Sequence, residues 1–185
     1  MKRIVGILML LVLLTGCAGK NDRLDRAMTL RAKMLSQGVS FDAKILADFG
    51  DKTYTFVMNC RTDTQGNLTF TVAQPETIAG ITGSVSASGG KLTFDDTVLA
   101  FPLMAEGEVT PVSAPWILVK TLRGGYLTAC TEEGGSLRVA IDDSYEEDAL
   151  HLDIWLDSGE MPALAEIYWQ GRKILTVTVS NFTFV

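Results

Sequence analysis

The sequence predicts a mainly β fold, an antiparallel meander with a few helices. Three observations carry this. From Val39 onward apolar residues recur with a period of two. Gly, Asp and Asn turns cut these runs into segments of strand length. Apolar residues at helical spacing occur in only two places, 24–35 and 112–122.

The first helical stretch has Asn21 and Asp22 as acceptable N-cap residues. Leu24, Ala27, Met28, Leu30, Met34 and Leu35 form its apolar stripe, and Gly38 stops it. Such a stripe is ordinarily a face packed on a core. Alternation then begins with Val39, Phe41, Ala43 and Ile45, followed by a Gly50-Asp51 turn. Tyr54, Phe56, Met58 and Cys60 share the next face, and Gln65-Gly66-Asn67 turns the chain into Leu68, Phe70 and Val72. Further strands are expected at 81–87, 91–94, 126–131, 137–141, 150–156, 165–169 and 172–185. One interruption breaks the meander. Residues 101–109 read as an apolar loop, and Thr110-Pro111 opens a helix through about Arg123, with Thr110 as cap and Pro111 at the first helical position. Gly124-Gly125 ends it. Its rows, Val112, Trp116, Val119 and Pro115, Leu118, Leu122, leave it apolar around most of its circumference. It is therefore expected to be buried on more than one side, or to cover something apolar.

The N-terminus carries a different signal. Lys2 and Arg3 precede an apolar run at 4–14, broken only by Gly6. That is too short to span a bilayer, which takes about 20 residues, and it suits the apolar region of a secretory signal. Leu14-Thr15-Gly16-Cys17 follows, and this resembles the lipobox of bacterial lipoproteins. The resemblance implies that the Cys17 sulfur receives a diacylglyceryl group and that the chain is cut before it. Residues 1–16 are then signal, 17–22 a lipidated cysteine with a short tether, and 23–185 the folded domain. Two acyl chains matter because a single one gives only marginal membrane binding. No cofactor is expected beyond this covalent lipid.

Without residues 1–16 the chain has 169 residues, enough for one domain with a substantial core. The formal charge of −6 includes Lys2 and Arg3, so the remainder stands at −8. That balance argues against nucleic acid as a partner, and against electrostatic adhesion to anionic lipid. Cys60 and Cys130 make an even pair, which leaves two alternatives, a disulfide or two free thiols acting as small core residues.

The order of elements is also informative. Residues 68–72 lead into Gln74-Pro75-Glu76, then Ile78-Ala79-Gly80-Ile81, Gly90-Lys91-Leu92-Thr93-Phe94-Asp95 and Pro111-Val112-Ser113-Ala114-Pro115. Pro162, Ala165-Glu166-Ile167 and Val177-Thr178-Val179-Ser180-Asn181-Phe182 complete the series. In this order, behind a lipoprotein signal, the chain resembles the LolA/LolB-like lipoprotein-carrier superfamily, in the lipoprotein form of Gram-positive anaerobes. The resemblance implies an unclosed half β-barrel whose concave face is apolar and partly covered by helices. It further implies a cavity for a lipid, an acyl chain or another hydrophobic ligand. Phe56, Met58 and Phe70 are the candidate lining. Phe101, Met104, Trp116 and Val119 lie on a candidate lid at 101–123, jointed at Gly107 and at Gly124-Gly125. An anchored chain cannot ferry freely between membranes, so a tethered acceptor or local lipid handler fits better. The alternative is a structural or signalling envelope lipoprotein that turns the same sheet toward a protein partner. The expected place is outside the cytoplasm on the cell membrane, or on the outer membrane where the organism has one.

No catalytic constellation is present, and no enzyme activity is expected. His151 is the only histidine, lies in an alternating strand, and has no Gly-x-Ser-x-Gly elbow to accompany it. Cys60 and Cys130 lack metal-ligand spacing. The run Asp142-Asp143-Ser144-Tyr145-Glu146-Glu147-Asp148 offers carboxylates to calcium but not in the order of a calcium loop, and reads as a solvated turn. Ser88-Gly89-Gly90 reads as a hairpin turn rather than a phosphate loop.

Overall fold

A computed structural model of the chain describes residues 18–185 except 49, 51, 96, 106 and 107. Helix α1 (Ala18–Ser36) leads into β1 (Val39–Asp48), β2 (Thr53–Thr62), β3 (Leu68–Gln74), β4 (Thr82–Ser86), β5 (Gly89–Phe94) and β6 (Thr97–Phe101). A small hairpin of β7 (Met104–Ala105) and β8 (Glu108–Val109) precedes α2 (Ala114–Gly124). Then come β9 (Tyr126–Glu133), β10 (Ser136–Asp142), β11 (Leu150–Leu156), β12 (Pro162–Trp169) and β13 (Arg172–Phe184).

Eleven strands form one antiparallel sheet in the order β6-β5-β4-β3-β2-β1-β13-β12-β11-β10-β9. Every neighbour in it is a hairpin partner except β1 and β13, which join the start of the meander to its end. The chain thus builds one wing outward from β1, crosses through α2, and builds the other wing back. Its outermost strands, β6 and β9, do not pair with each other, so the sheet stays unclosed.

Side-chain alternation makes one face apolar. In β1 the residues Val39, Phe41, Ala43, Ile45 and Ala47 are buried. Register carries that face across the sheet: Phe56, Ile45, Val177, Ala165, Ile154, Val139 and Cys130 stand opposite one another in a single row. A bulge in β13 preserves it. Asn181 takes a φ of 53°, donates its amide to Asp42 at 2.7 Å, and lets Phe182 stack on Phe41 at 5.7 Å. Helix α1 buries Ala27, Leu30 and Met34 and packs on α2 and β9, while α2 packs on β10 and β13. Residues of both helices and both wings form one continuous core. Each large side chain fully buried there contributes about 1.5–3 kcal/mol.

Several local expectations are corrected. α1 begins at Ala18, ahead of Asn21 and Asp22, so most of the expected 17–22 tether is helical. Those residues are acceptable caps but nothing obliges a helix to wait for one. Part of the 101–109 loop belongs to β6, β7 and β8; Thr97-Val98-Leu99-Ala100-Phe101 is a β-branched and aromatic run that pairs with β5. Thr110 does not cap α2 through its side chain. Its hydroxyl donates to the Pro102 carbonyl at 2.9 Å, and entry is by a 3-10 turn at Pro111–Ser113. α2 itself matches expectation, with Trp116 to either side of which Pro115 and Ile117 are also buried, together with Leu118, Val119 and Leu122.

Two glycines on the apolar face are occupied by aromatic rings. A Cβ on Gly83 would stand 2.4 Å from Phe70 Cζ and 2.6 Å from the Lys91 carbonyl oxygen, and one on Gly90 would run into the Phe101 ring. Gly83→Ala is therefore expected to cost about 1–3 kcal/mol by overpacking. A lower urea midpoint with an unchanged slope is the reading that checks it.

Candidate functional site

Cys17 lies outside the described residues. The site that the described residues can test is the helix-covered apolar face, where the candidate cavity was expected.

Most of that face is filled. Met58, Phe70 and Val119 are buried, and Trp116 is only 6% exposed. All four belong to the continuous core instead of an open slot. Phe56 and Phe101 are half-buried against it, and the Met104 side chain lies outside the described residues. The expected joints of the lid also change. Gly107 is outside the described residues. A Cβ on Gly125 would stand 2.6 Å from Ile141 Cγ2 and 2.8 Å from the Asp142 carbonyl oxygen, so that glycine permits a close approach of α2 to the sheet and is not a free hinge. A recess of about 270 Å³ lies beside Trp116, bounded by Leu35, Ala87, Lys120 and Arg123.

The apolar face is open at its β5–β6 margin. Register places Leu92 opposite Gly83 and Leu99 opposite Leu92, on the same side as Phe70. Phe94 and Phe101 share that side by alternation. Here the burial ends: Leu92 and Phe101 are half-buried, Phe94 is 59% exposed and Leu99 60%. These are large apolar groups on the core side of a sheet that the two helices leave uncovered. The sequence contained the signal, since Gly90-Lys91-Leu92-Thr93-Phe94 and Thr97-Val98-Leu99-Ala100-Phe101 alternate, but the second run was not read as a strand.

The two sheet edges also differ. β9 carries Glu132 and Glu133 and has α1 against it, both devices that discourage further pairing. β6 has no charged residue, and Val98 on its other face is exposed as well.

The opposite, polar face is cross-linked by ion pairs. His151 stands between strands, with Nδ1 2.7 Å from Asp142 and Nε2 3.4 Å from Asp153. Asp153 is buried and receives Arg138 at 2.6 Å, and the Arg138 guanidinium lies over Trp155. Burial works against the Glu166 carboxylate, yet bonds from Lys173 and Tyr168 outweigh it and hold that carboxyl below its ordinary range. The same bond to Glu166, with burial, pushes the Tyr168 hydroxyl up to about 12. Nδ1 thus links β11 to Asp142 on β10, while Nε2 approaches Asp153 two residues along its own strand, which is a structural arrangement. In the acidic run, Asp142 is taken up by His151, and Asp143 by Lys120 and the Leu150 amide. A shallow groove of about 680 Å³ lies mainly on this polar side of the β1–β6 wing, lined by Asp42, Asn59, Arg61, Thr71 and Lys91 among others.

Cys60 and Cys130 are free thiols in this structure. They stand on β2 and β9, in different wings, and burial pushes both thiols up from their ordinary range. Among the described residues no helix is long and apolar enough to cross a membrane.

No family model and no curated protein matches the chain. Among solved structures it is similar to a putative outer membrane lipoprotein-sorting protein domain from Vibrio parahaemolyticus, with 13% identity over 87% of this chain and 91% of that one and a TM-score of 0.48. It is similar to a LolA superfamily protein from Nitrosomonas europaea, with 9% identity over 86% and 93% and a TM-score of 0.44. It is also similar to the Mycobacterium tuberculosis lipoprotein LppX, with 10% identity over 87% and 93% and a TM-score of 0.41. What the chain itself shows is an eleven-stranded antiparallel sheet left unclosed, with two helices laid on its apolar face.

Proposed function

We propose that the chain is an extracytoplasmic lipoprotein, anchored through lipid on Cys17, that binds a hydrophobic ligand such as an acyl chain at the β5–β6 margin of its apolar face. The observation that carries the ligand is the exposure of Phe94 and Leu99 on the core side, next to half-buried Leu92 and Phe101. A chain laid along this row extends the existing core, and each methylene removed from water is favourable by about 0.8 kcal/mol. No reacting group is needed. The deeper position beneath Trp116, expected from the sequence, is already occupied by protein side chains. The anchor is supported by the order Lys2-Arg3, apolar 4–14, and Leu14-Thr15-Gly16-Cys17.

A second reading, docking of a protein partner, is favoured by one observation: β6 is an uncharged edge strand with both faces exposed. Leu99 and Val98 separate the two because they point to opposite faces. In the first reading, Leu99→Asp should weaken binding of a fluorescent fatty acid at least tenfold, about 1.4 kcal/mol, while Val98→Lys leaves it unchanged. Leu99 is largely exposed, so neither variant should lose the fold. Strand pairing with a partner is disturbed by both changes. Solvent extraction of the purified wild-type protein, with mass spectrometry, should recover co-purified lipid. Absence of both lipid and fatty-acid binding in the wild type overturns the first reading.

A further inference from the structure

Helix α1 includes Ala18, the residue that follows Cys17, so the described helix reaches to the position next to the proposed lipid. At 1.5 Å per residue, Leu24 lies only about 9 Å along the helix from Ala18. Ala27, Leu30 and Met34 face the core, but α1 has a second apolar row. Leu24, Met28 and Leu35 are 43%, 45% and 53% exposed. Their spacings of four and seven residues place them on one side of the helix, beside the buried stripe.

The charge is segregated in the same direction. α1 holds five basic residues, Lys20, Arg23, Arg26, Arg31 and Lys33, and two acidic ones, for a net +3. Residues 37–185 hold nine basic and twenty acidic residues, a net −11. Arg26 is bound to Glu132 and Glu160, and Arg31 to the carbonyls of Leu122 and Gly125, so part of the helix charge serves packing. The contrast between helix and remainder persists. An acidic domain held at an anionic surface should turn its basic element toward it and its acidic remainder away, within a Debye length of about 8 Å.

We infer that α1 docks on the bilayer surface, with Leu24, Met28 and Leu35 in the boundary between headgroups and acyl chains and the helix axis along the membrane plane. The inference rests on the reading of Cys17 as lipid-bearing and deepens it: the lipid and the apolar row together form the two signals that stable, oriented attachment requires. It weighs the charge of α1 by itself, where the sequence-based argument against anionic lipid averaged charge over the whole chain.

The test uses the full chain with Cys60 and Cys130 replaced by alanine, in vesicles of phosphatidylcholine with 30% phosphatidylglycerol. A single nitroxide is placed by Leu24→Cys or Met28→Cys, and, on the other side of α1, by Thr29→Cys or Ser36→Cys. Mass spectrometry of each preparation reports the acyl chains independently. The expected result is oxygen-favoured relaxation at positions 24 and 28, with positions 29 and 36 open to a water-soluble nickel complex. The contrast should shrink in vesicles without the anionic lipid. An acylated protein in which all four positions are open to nickel overturns the docking and leaves the anchor standing. A protein found non-acylated and relabelled after Cys17→Ala, so that one nitroxide remains, that still shows the contrast supports the docking and overturns the anchor. A non-acylated protein with no contrast overturns both.

Discussion

Trp116→Ala is expected to lower stability by about 3–5 kcal/mol, the cost of removing a large aromatic side chain from a packed interior. The ring is 6% exposed and belongs to the core shared by both helices and both wings. Its neighbours in sequence, Pro115, Ile117, Leu118 and Val119, are buried too, so α2 meets protein on most of its sides. The 270 Å³ recess next to it is already open to Lys120 and Arg123, and truncation joins the new void to that recess. Lys120 also sits 5.8 Å from the ring centroid, a contact that alanine removes. For a domain of this size the loss corresponds to a fall in Tm on the order of 10 °C. Calorimetry or urea unfolding of the purified protein checks it. A loss below about 1 kcal/mol contradicts the packed-core position and revives α2 as a lid that lifts from the sheet.

The same residue shows where sequence reasoning succeeded and where it stopped. The apolar rows of α2 were legible, because a 3.6-residue period and near-complete apolarity are properties of the chain itself. Whether such a helix covers a void or completes a core is decided by the side chains that meet it, and those come from other elements, β10, β13 and α1. Met58 and Phe70 show the same limit: both were placed on the correct face by alternation, yet that face is filled where they stand. The β5–β6 margin was missed for a local reason. Phe101 was read as the start of a loop, which cut the alternation of Thr97, Leu99 and Phe101 short and hid an edge strand. The start of α1 was missed because cap preference favoured Asn21 and Asp22, although the helix continues through them to Ala18. The union of β1 with β13 also has no local signature. It joins residues 39–47 to 175–184, and only the shared apolar face of Ala43, Ile45, Val177 and Val179 specifies it.

Cys17→Ala is expected to abolish incorporation of radioactive palmitate completely and to leave the chain at its unprocessed mass. The motive is the order of signals at the N-terminus: two basic residues, an apolar run too short to span a bilayer, and Leu14-Thr15-Gly16 before the cysteine. Alanine removes the only atom of that segment able to form a thioether, so no partial modification should persist. In any fraction from which another peptidase removes the signal, membrane attachment should become weak but not absent. Leu24, Met28 and Leu35 remain, and a lone attachment signal gives marginal, reversible binding on the scale of about 10⁴ M⁻¹. A salt wash of membranes should therefore release the variant wherever processing has freed it, and retain the parent. Fold stability should change by less than about 0.5 kcal/mol, because among the described residues the core begins at Ala27, ten positions further along the chain. This separates the result from Trp116→Ala, which should unfold readily yet still take up label. Palmitate retained by Cys17→Ala would remove the anchor and place the lipid elsewhere on the chain, with Cys130, half-buried on β9, as the first residue to test.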